Sequence, residues 1–251
     1  MGGRGSDVAR EAAALVITDD DFTSIVEGIR RGRGIFENIR RAMAYIVAVH
    51  VAIVGVVLVP LLVPSWPLVM LPVQLALLEL VIDPACSVVF EAEAIDPAVM
   101  RAPPRTRGAP VLGRQRLIVA ALQGTGALAA VLAVYAYGVA AGRDESVVRA
   151  GAFTCLVISN LLLIAVNRSW RLSALQVLRQ RSNPAVKWIL GATLTALVVI
   201  LSVPVLRDAL NLGRLGALDI AVSAGAAALG AAWCEALKRA HCSVGAADGF
   251  D

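Results

Sequence analysis

The chain has 251 residues, 58% hydrophobic and 17% charged, with a formal net charge of +4 and a mean hydropathy of +0.75. An ordinary soluble domain is about half apolar and a quarter charged; here the apolar residues fall in runs near the ~20 residues that cross a bilayer, which excludes a soluble globular domain. The basic excess is no nucleic-acid footprint, because the arginines cluster in short segments between apolar runs, where topology accounts for them. Cys86, Cys155, Cys234 and Cys242 form no CxxC pair, so neither a disulfide framework nor a zinc site is indicated. The amino end opens with Gly, Arg and acidic residues, not with the apolar core and small-residue cleavage site of a secretory signal.

Residues 1–41 differ from the rest in being polar. Within them, 14–18 (Ala-Leu-Val-Ile-Thr) predict a short buried strand ended by Asp19-Asp20-Asp21, and 25–41 predict a helix whose arginines face water. This segment has too little apolar surface to offset its ordering entropy and should need a partner to fold well. Spans are expected at 42–63 and 68–90, joined by Pro64-Ser65-Trp66-Pro67 as a tight hairpin with a belt tryptophan. After a charged stretch, 91–116, further spans are expected at 117–141, 147–166, 185–206 and 215–237. Arg30, Arg31, Arg33, Arg40 and Arg41 precede the first span, and Arg101, Arg105, Arg107, Arg114 and Arg116 follow the second. Arg168, Arg171, Arg179, Arg181 and Lys187 follow the fourth, and Lys238 and Arg239 end the sixth; the other side receives only Arg143, Arg149, Arg207 and Arg214. The positive-inside rule then puts both termini in the cytoplasm, as six spans require.

A carboxylate at bilayer depth costs several kcal/mol unless it meets a cation, a proton or water. Glu79 and Asp83 lie in the second span, four residues apart and so on one helical face, where both can reach one ion. Pro84 follows directly; it supplies no N–H and clashes with the carbonyl four residues earlier, freeing backbone oxygen. Carboxylate and carbonyl oxygens together suit a hard cation, and broken helices at a midplane binding site are a recurring transporter device. The alternative is a packing kink with two protonated acids. His50, mid-span in the first helix, either faces these acids across the hairpin or is a buried neutral histidine. Ser159 and Asn160 in the fourth span could add oxygens or bond neighbouring helices, whereas Gln74 and Tyr45 read as structural. Glu91 and Glu93, near the end of the second span, form either a solvated mouth or a lure for cations. Gly124, Gly126 and Ala127, with the Ala/Gly run 224–232, offer small faces for close helix contact.

Several stretches together carry a family resemblance. Met1-Gly2-Gly3-Arg4-Gly5-Ser6-Asp7-Val8-Ala9-Arg10-Glu11-Ala12, Ile17-Thr18-Asp19-Asp20-Asp21-Phe22 and Ile25-Val26 resemble the end of the phosphorylation domain of P-type cation-transporting ATPases. Gly32-Arg33-Gly34-Ile35-Phe36-Glu37-Asn38-Ile39-Arg40-Arg41 resembles the stalk into that family's fifth membrane helix. Leu71-Pro72-Val73-Gln74-Leu75, Leu80-Val81-Ile82-Asp83-Pro84 and Met100-Arg101-Ala102-Pro103-Pro104-Arg105 resemble its sixth helix and the loop after it. The likeness is strong to Arg105 and weaker beyond, where Asn183-Pro184 and the span spacing still fit.

The resemblance implies an all-α membrane protein, a six-helix transmembrane bundle with a small N-terminal cytoplasmic remnant of an α/β phosphorylation domain. Residues 1–41 would be that remnant and stalk, 42–240 the transmembrane C-terminal cation ATPase domain, and 241–251 a cytoplasmic tail. In the family, ions bind between the fourth, fifth, sixth and eighth helices while ATP drives transport through an aspartyl-phosphate. Asp83 matches the sixth-helix aspartate ligand, Glu79 replaces a common asparagine one turn earlier, and Asn160 falls near an eighth-helix Glu or Gln. His50 and Ile53 stand where calcium pumps carry Asn and Glu. The implied metal ligands are therefore Asp83, Glu79, Asn160 and His50, and the absence of Cys-Pro-Cys in the second span argues against soft metals.

No Asp-Lys-Thr-Gly-Thr motif, actuator Thr-Gly-Glu loop or nucleotide pocket lies in these residues, and Met1 coincides with an internal methionine of the family pattern. The expectation is the transport domain of a P-type cation pump without the ATP-hydrolysing parts, inactive as an ATPase alone, with no catalytic residues and no cofactor of its own. Its cargo is a cation, and Mg and ATP would act only through the missing part. The expected partners are the lipid bilayer and a separate chain carrying actuator, nucleotide-binding and phosphorylation domains, with no nucleic acid; the expected location is the plasma membrane. The alternative is a non-enzymatic six-span protein, a truncated relic or a passive ion-binding module.

Overall fold

The computed structural model describes residues 2–63, 66–101, 103–104, 108–170, 172–179 and 183–245. In order these form α1 (Asp7–Ala12), α2 (Thr23–Leu62), α3 (Pro72–Glu91), a 3₁₀ turn (Pro97–Met100), α4 (Arg114–Ala140), α5 (Glu145–Asn167), α6 (Ala174–Arg179), α7 (Pro184–Ser202), α8 (Pro204–Ala209) and α9 (Ala217–Gly245). Six of them, α2, α3, α4, α5, α7 and α9, are long and apolar enough to cross a membrane, as the apolar runs predict.

Stalk and first span are one helix. α2 continues for 40 residues without a break, about 60 Å at 1.5 Å per residue, twice the hydrocarbon thickness of a bilayer. Its apolar half therefore spans while its arginine-rich half, stitched by Arg30 and Arg31 to Glu27, projects beyond the bundle at what is here called the stalk end. Just before α2, the Ser24 hydroxyl and Asp21 amide beside Asp19 hold its carboxyl below the usual carboxylate range.

Two expectations are corrected. Residues 14–18 are not a strand: among the described residues there is none, and Leu15 is 69% exposed. A strand needs a neighbouring edge, and the one pairing made here is the Gly2 amide on the Ile17 carbonyl. The fifth span ends at Ser202 rather than running to 206. Pro204 has no N–H to donate and pushes Val203 into extended backbone (φ −87°, ψ 114°), so the chain restarts as the single short helix α8. Pro64 and Ser65 of the first hairpin, the side chain of Cys242 and most of the 241–251 tail lie outside the described residues, but Trp66 packs tilted against Tyr135, ring centroids 5.1 Å apart.

α5 is the axis of the bundle. Of its apolar window 83% is buried, against 11% for α7, because α5 packs on α2, α3, α4, α7 and α9. Small residues let it do so: Ala150, Ala152 and Ala165 are all within 2% of full burial. Close approaches between α4 and its neighbours use the glycines singled out by sequence. A methyl at Gly124 of α4 would collide with the Ala48 carbonyl of α2. One at Gly230 of α9 would stand 3.2 Å from the Gly126 carbonyl of α4, the close crossing that small residues permit in membranes. Apolar residues on the outer surfaces, such as Val54, Leu58, Leu80 and Trp188, are what a helix facing lipid presents.

At the far end, loops are tied to helices by buried polar groups. Gln74, fully buried, donates its amide to the Leu210 carbonyl (2.6 Å) and accepts from the Leu71 amide (3.0 Å). The Tyr135 hydroxyl donates to the Pro67 carbonyl, and Arg149 reaches the Asn211 carbonyl at 3.2 Å. Replacing Gly124 by Leu should force α2 and α4 apart and cost about 1–3 kcal/mol, read as a lower thermal midpoint of the purified chain in detergent, whereas Gly191→Leu, in open space, should leave it unchanged.

Candidate functional site

Four helices meet around an internal cleft of about 40 Å³, room for roughly one or two waters. Its walls are Tyr45 of α2, Val81 and Ala85 of α3, Phe153 and Asn160 of α5, and Thr193 of α7, with apolar neighbours. Asn160 is 3% exposed, and neither its amide nitrogen nor its carbonyl oxygen has a hydrogen-bond partner. Leaving such a group unpaired costs roughly 1–3 kcal/mol, so folding alone does not account for Asn160.

The other predicted residues lie elsewhere on the same helices. Glu79 is half-buried on α3 and has neither an ion pair nor a hydrogen bond among the described residues. At about 100° per residue it sits round the helix from Val81 and does not line the cleft. The α3 backbone runs through Asp83 and Pro84 as continuous helix, and Pro84 leaves the Leu80 carbonyl without its helical donor; the Asp83 side chain lies outside the description. His50 is exposed on α2, in register with Ile46 and Val54 on the outer face, its Nδ1 2.9 Å from the Ile46 carbonyl. Among the predicted ligands whose side chains are described, Asn160 is thus the one in the cleft. No group of three or more His, Cys, Asp or Glu gathers among the described residues.

Glu93 is neither a solvated mouth nor a free lure for cations. Its carboxylate accepts two hydrogen bonds from the Arg168 guanidinium, 2.8 and 3.2 Å, with the two side chains only 9% and 2% exposed. Asn183 donates to the same carboxylate (3.1 Å) and to the Val89 carbonyl (2.9 Å) while accepting from Ala185 as the N-cap of α7. Asn38 of α2 donates to the Glu93 carbonyl at 3.0 Å. Sequence inspection found Asn183 as part of a motif but not this node, nor Thr193 in the cleft; a span-end carboxylate facing a span-end arginine is the one signal available. Gln74 ties α3 to the loop after α8, and Tyr45, a wall of the cleft, packs its ring on Phe90 with centroids 5.6 Å apart.

Residues 67–240 match the family model described as the C-terminus of cation transporting ATPases. The chain belongs to that family. Among curated relatives it is 28% identical over 225 residues to calcium-transporting ATPase 1 of Yarrowia lipolytica, covering 88% of this chain and 24% of the relative. It is 26% identical over 232 residues to calcium-transporting ATPase type 2C member 2 of Mus musculus (90% and 24%), and 33% identical over 139 residues to the sodium/potassium-transporting ATPase subunit alpha-3 of Gallus gallus (55% and 14%). The chain spans about a quarter of the length of the first two. Five of the six spans, α3, α4, α5, α7 and α9, lie within or run out of the matched residues.

Within this membrane domain, Asn160→Leu removes two unpaired polar atoms and fills the cleft. The variant should match or exceed the parent in thermal midpoint by up to a few degrees, measured in detergent; clear destabilisation would show that Asn160 has a structural partner.

Proposed function

We propose that this chain is the part of a P-type cation pump that holds the transported cation, with oxygens from Glu79, Asp83 and Asn160, and with His50 at the edge of the site. ATP hydrolysis is supplied by actuator, nucleotide-binding and phosphorylation domains, on the same polypeptide or on a separate chain, and Mg acts there. The observation that carries the reading is polar capacity left unused midway along two facing helices: Glu79 of α3 has no partner among the described residues, and both Asn160 side-chain atoms of α5 are buried and unpaired. In a membrane such groups are costly and mark ion pathways. The half-open placement of Glu79 and the outward placement of His50 fit a site completed by a membrane helix beyond these six.

The cation is of the hard, oxygen-preferring kind: Ca²⁺, as in the names of two relatives, or an alkali ion, as in the third. The arginine-rich stalk end faces the cytoplasm, with both termini, and the membrane is the plasma membrane. α2, continuous from stalk to span, transmits the phosphorylation state mechanically as a rigid rod. A second reading, a passive ion-binding module, draws on the self-contained core around α5 and requires cation binding that ignores ATP.

In a pump assembled with the ATP-handling domains, Asp83→Asn and Glu79→Gln should each raise the half-saturating cation concentration for phosphoenzyme formation about tenfold or more, ~1.4 kcal/mol. Leu80→Ala, on the outer face, should not. Unchanged cation dependence in both acid variants would overturn the assignment, and cation binding by the chain indifferent to nucleotide would favour the passive module.

A further inference from the structure

Where α2 and α4 enter their apolar runs at the stalk end, Arg40 and Arg116 crowd one carboxylate, with Arg41 close to Arg116. Glu37 stands 3.4 Å from Arg40 and 3.8 Å from Arg116, and Arg116 carries the repulsion of both Arg40 and Arg41. Three guanidinium groups against one carboxylate leave a local charge of +2. The groups are largely out of water: the Arg40, Arg116 and Glu37 side chains are 23%, 28% and 25% exposed, and Arg41 is 7% exposed.

Hydrogen bonding is incomplete in the same place. Nε of Arg40, Nε of Arg41 and Nη1 of Arg116 are all buried and without an acceptor. Buried donors are almost always paired, and an unpaired cluster calls for an acceptor. A set of planar guanidinium forks matches a tetrahedral oxyanion with several acceptor oxygens. Indole and apolar surface surround the charges: the Arg116 guanidinium lies 5.0 Å from the Trp170 ring centroid, and Trp170 also lines a groove of about 250 Å³ with Lys238 and Arg239. Arg41 directly precedes the apolar run of α2, and Arg116 that of α4, which sets the cluster at headgroup depth, where tryptophan also sits.

We infer that Arg40, Arg41 and Arg116 form a phosphate-oxyanion site at the membrane surface, filled by the headgroup phosphate of an anionic lipid. The site is separate from the cleft at Asn160 and does not depend on the cation reading. Glu37 competes with the ligand for the same guanidinium groups, so binding strengthens when Glu37 loses its charge and weakens with salt.

The test uses the full purified chain in neutral detergent micelles, with dihexanoylphosphatidylglycerol, dihexanoylphosphatidylcholine and inorganic phosphate as probes, and reads affinity from lipid adducts in native mass spectrometry together with the thermal midpoint. The glycerol lipid should bind at least about tenfold tighter than the choline lipid. Arg41→Gln and Arg116→Gln should each weaken it about tenfold, whereas Glu37→Gln should tighten it several-fold, an effect that misfolding cannot imitate. Saturable stabilisation by millimolar inorganic phosphate over matched chloride would assign the oxyanion to solution rather than lipid while keeping the site. Equal binding of the two lipids with no response to inorganic phosphate, or weaker binding by Glu37→Gln, would overturn the inference.

Discussion

The bidentate pair between Glu93 and Arg168 is the constraint on which the placement of α3 depends. Two charges almost out of water are tolerable only because each meets the other in matched geometry and because Asn183 takes up remaining acceptor capacity. The pair lies where four segments converge: the chain leaving α3, the C-terminus of α5, the N-cap of α7 and, through Asn38, the stalk of α2. Arg168 is the C-cap of α5, the helix the others pack around. The node therefore references α3 and α7 to the axis of the bundle and the stalk to both.

At the other end of α3, Gln74 makes the corresponding anchor to the loop after α8. Between the anchors the character of α3 changes. The ends use their polar groups fully in protein hydrogen bonds, while the middle holds Glu79 without a partner, a proline inside the helix, and a neighbour on α5, Asn160, with both amide atoms unpaired. A helix anchored by polar groups at both ends and carrying open ones midway has spent stability there. That contrast favours a ligand-handling role for the middle of α3 over a purely structural one.

The spans were legible because lipid imposes a simple rule: about twenty apolar residues make a helix, and each apolar run holds one within a few residues. The glycines of α4 and α9 were legible for a similar reason, since small residues in an apolar run serve close packing. What escaped had a tertiary cause. Residues 14–18 have the composition of a strand but no edge to pair with, and Pro204 ends α7 despite apolar residues on both sides of it. Glu93 and Arg168, 75 residues apart, are each an ordinary charge at a span end until folding brings them together. For the candidate site, periodicity puts Glu79 and Asp83 on one face, but only the packing shows that His50 points away from the bundle and that Thr193 joins Asn160 in the cleft.

A double-mutant cycle on Glu93 and Arg168 tests the dependence of α3 on this pair most directly. Unfolding of the purified chain would be followed for Arg168→Met, Glu93→Leu and the double variant. Each single change should strand a buried charge and cost about 3–5 kcal/mol, whereas the double change should cost far less than their sum. Additive losses, or single variants as stable as the parent, would contradict the account.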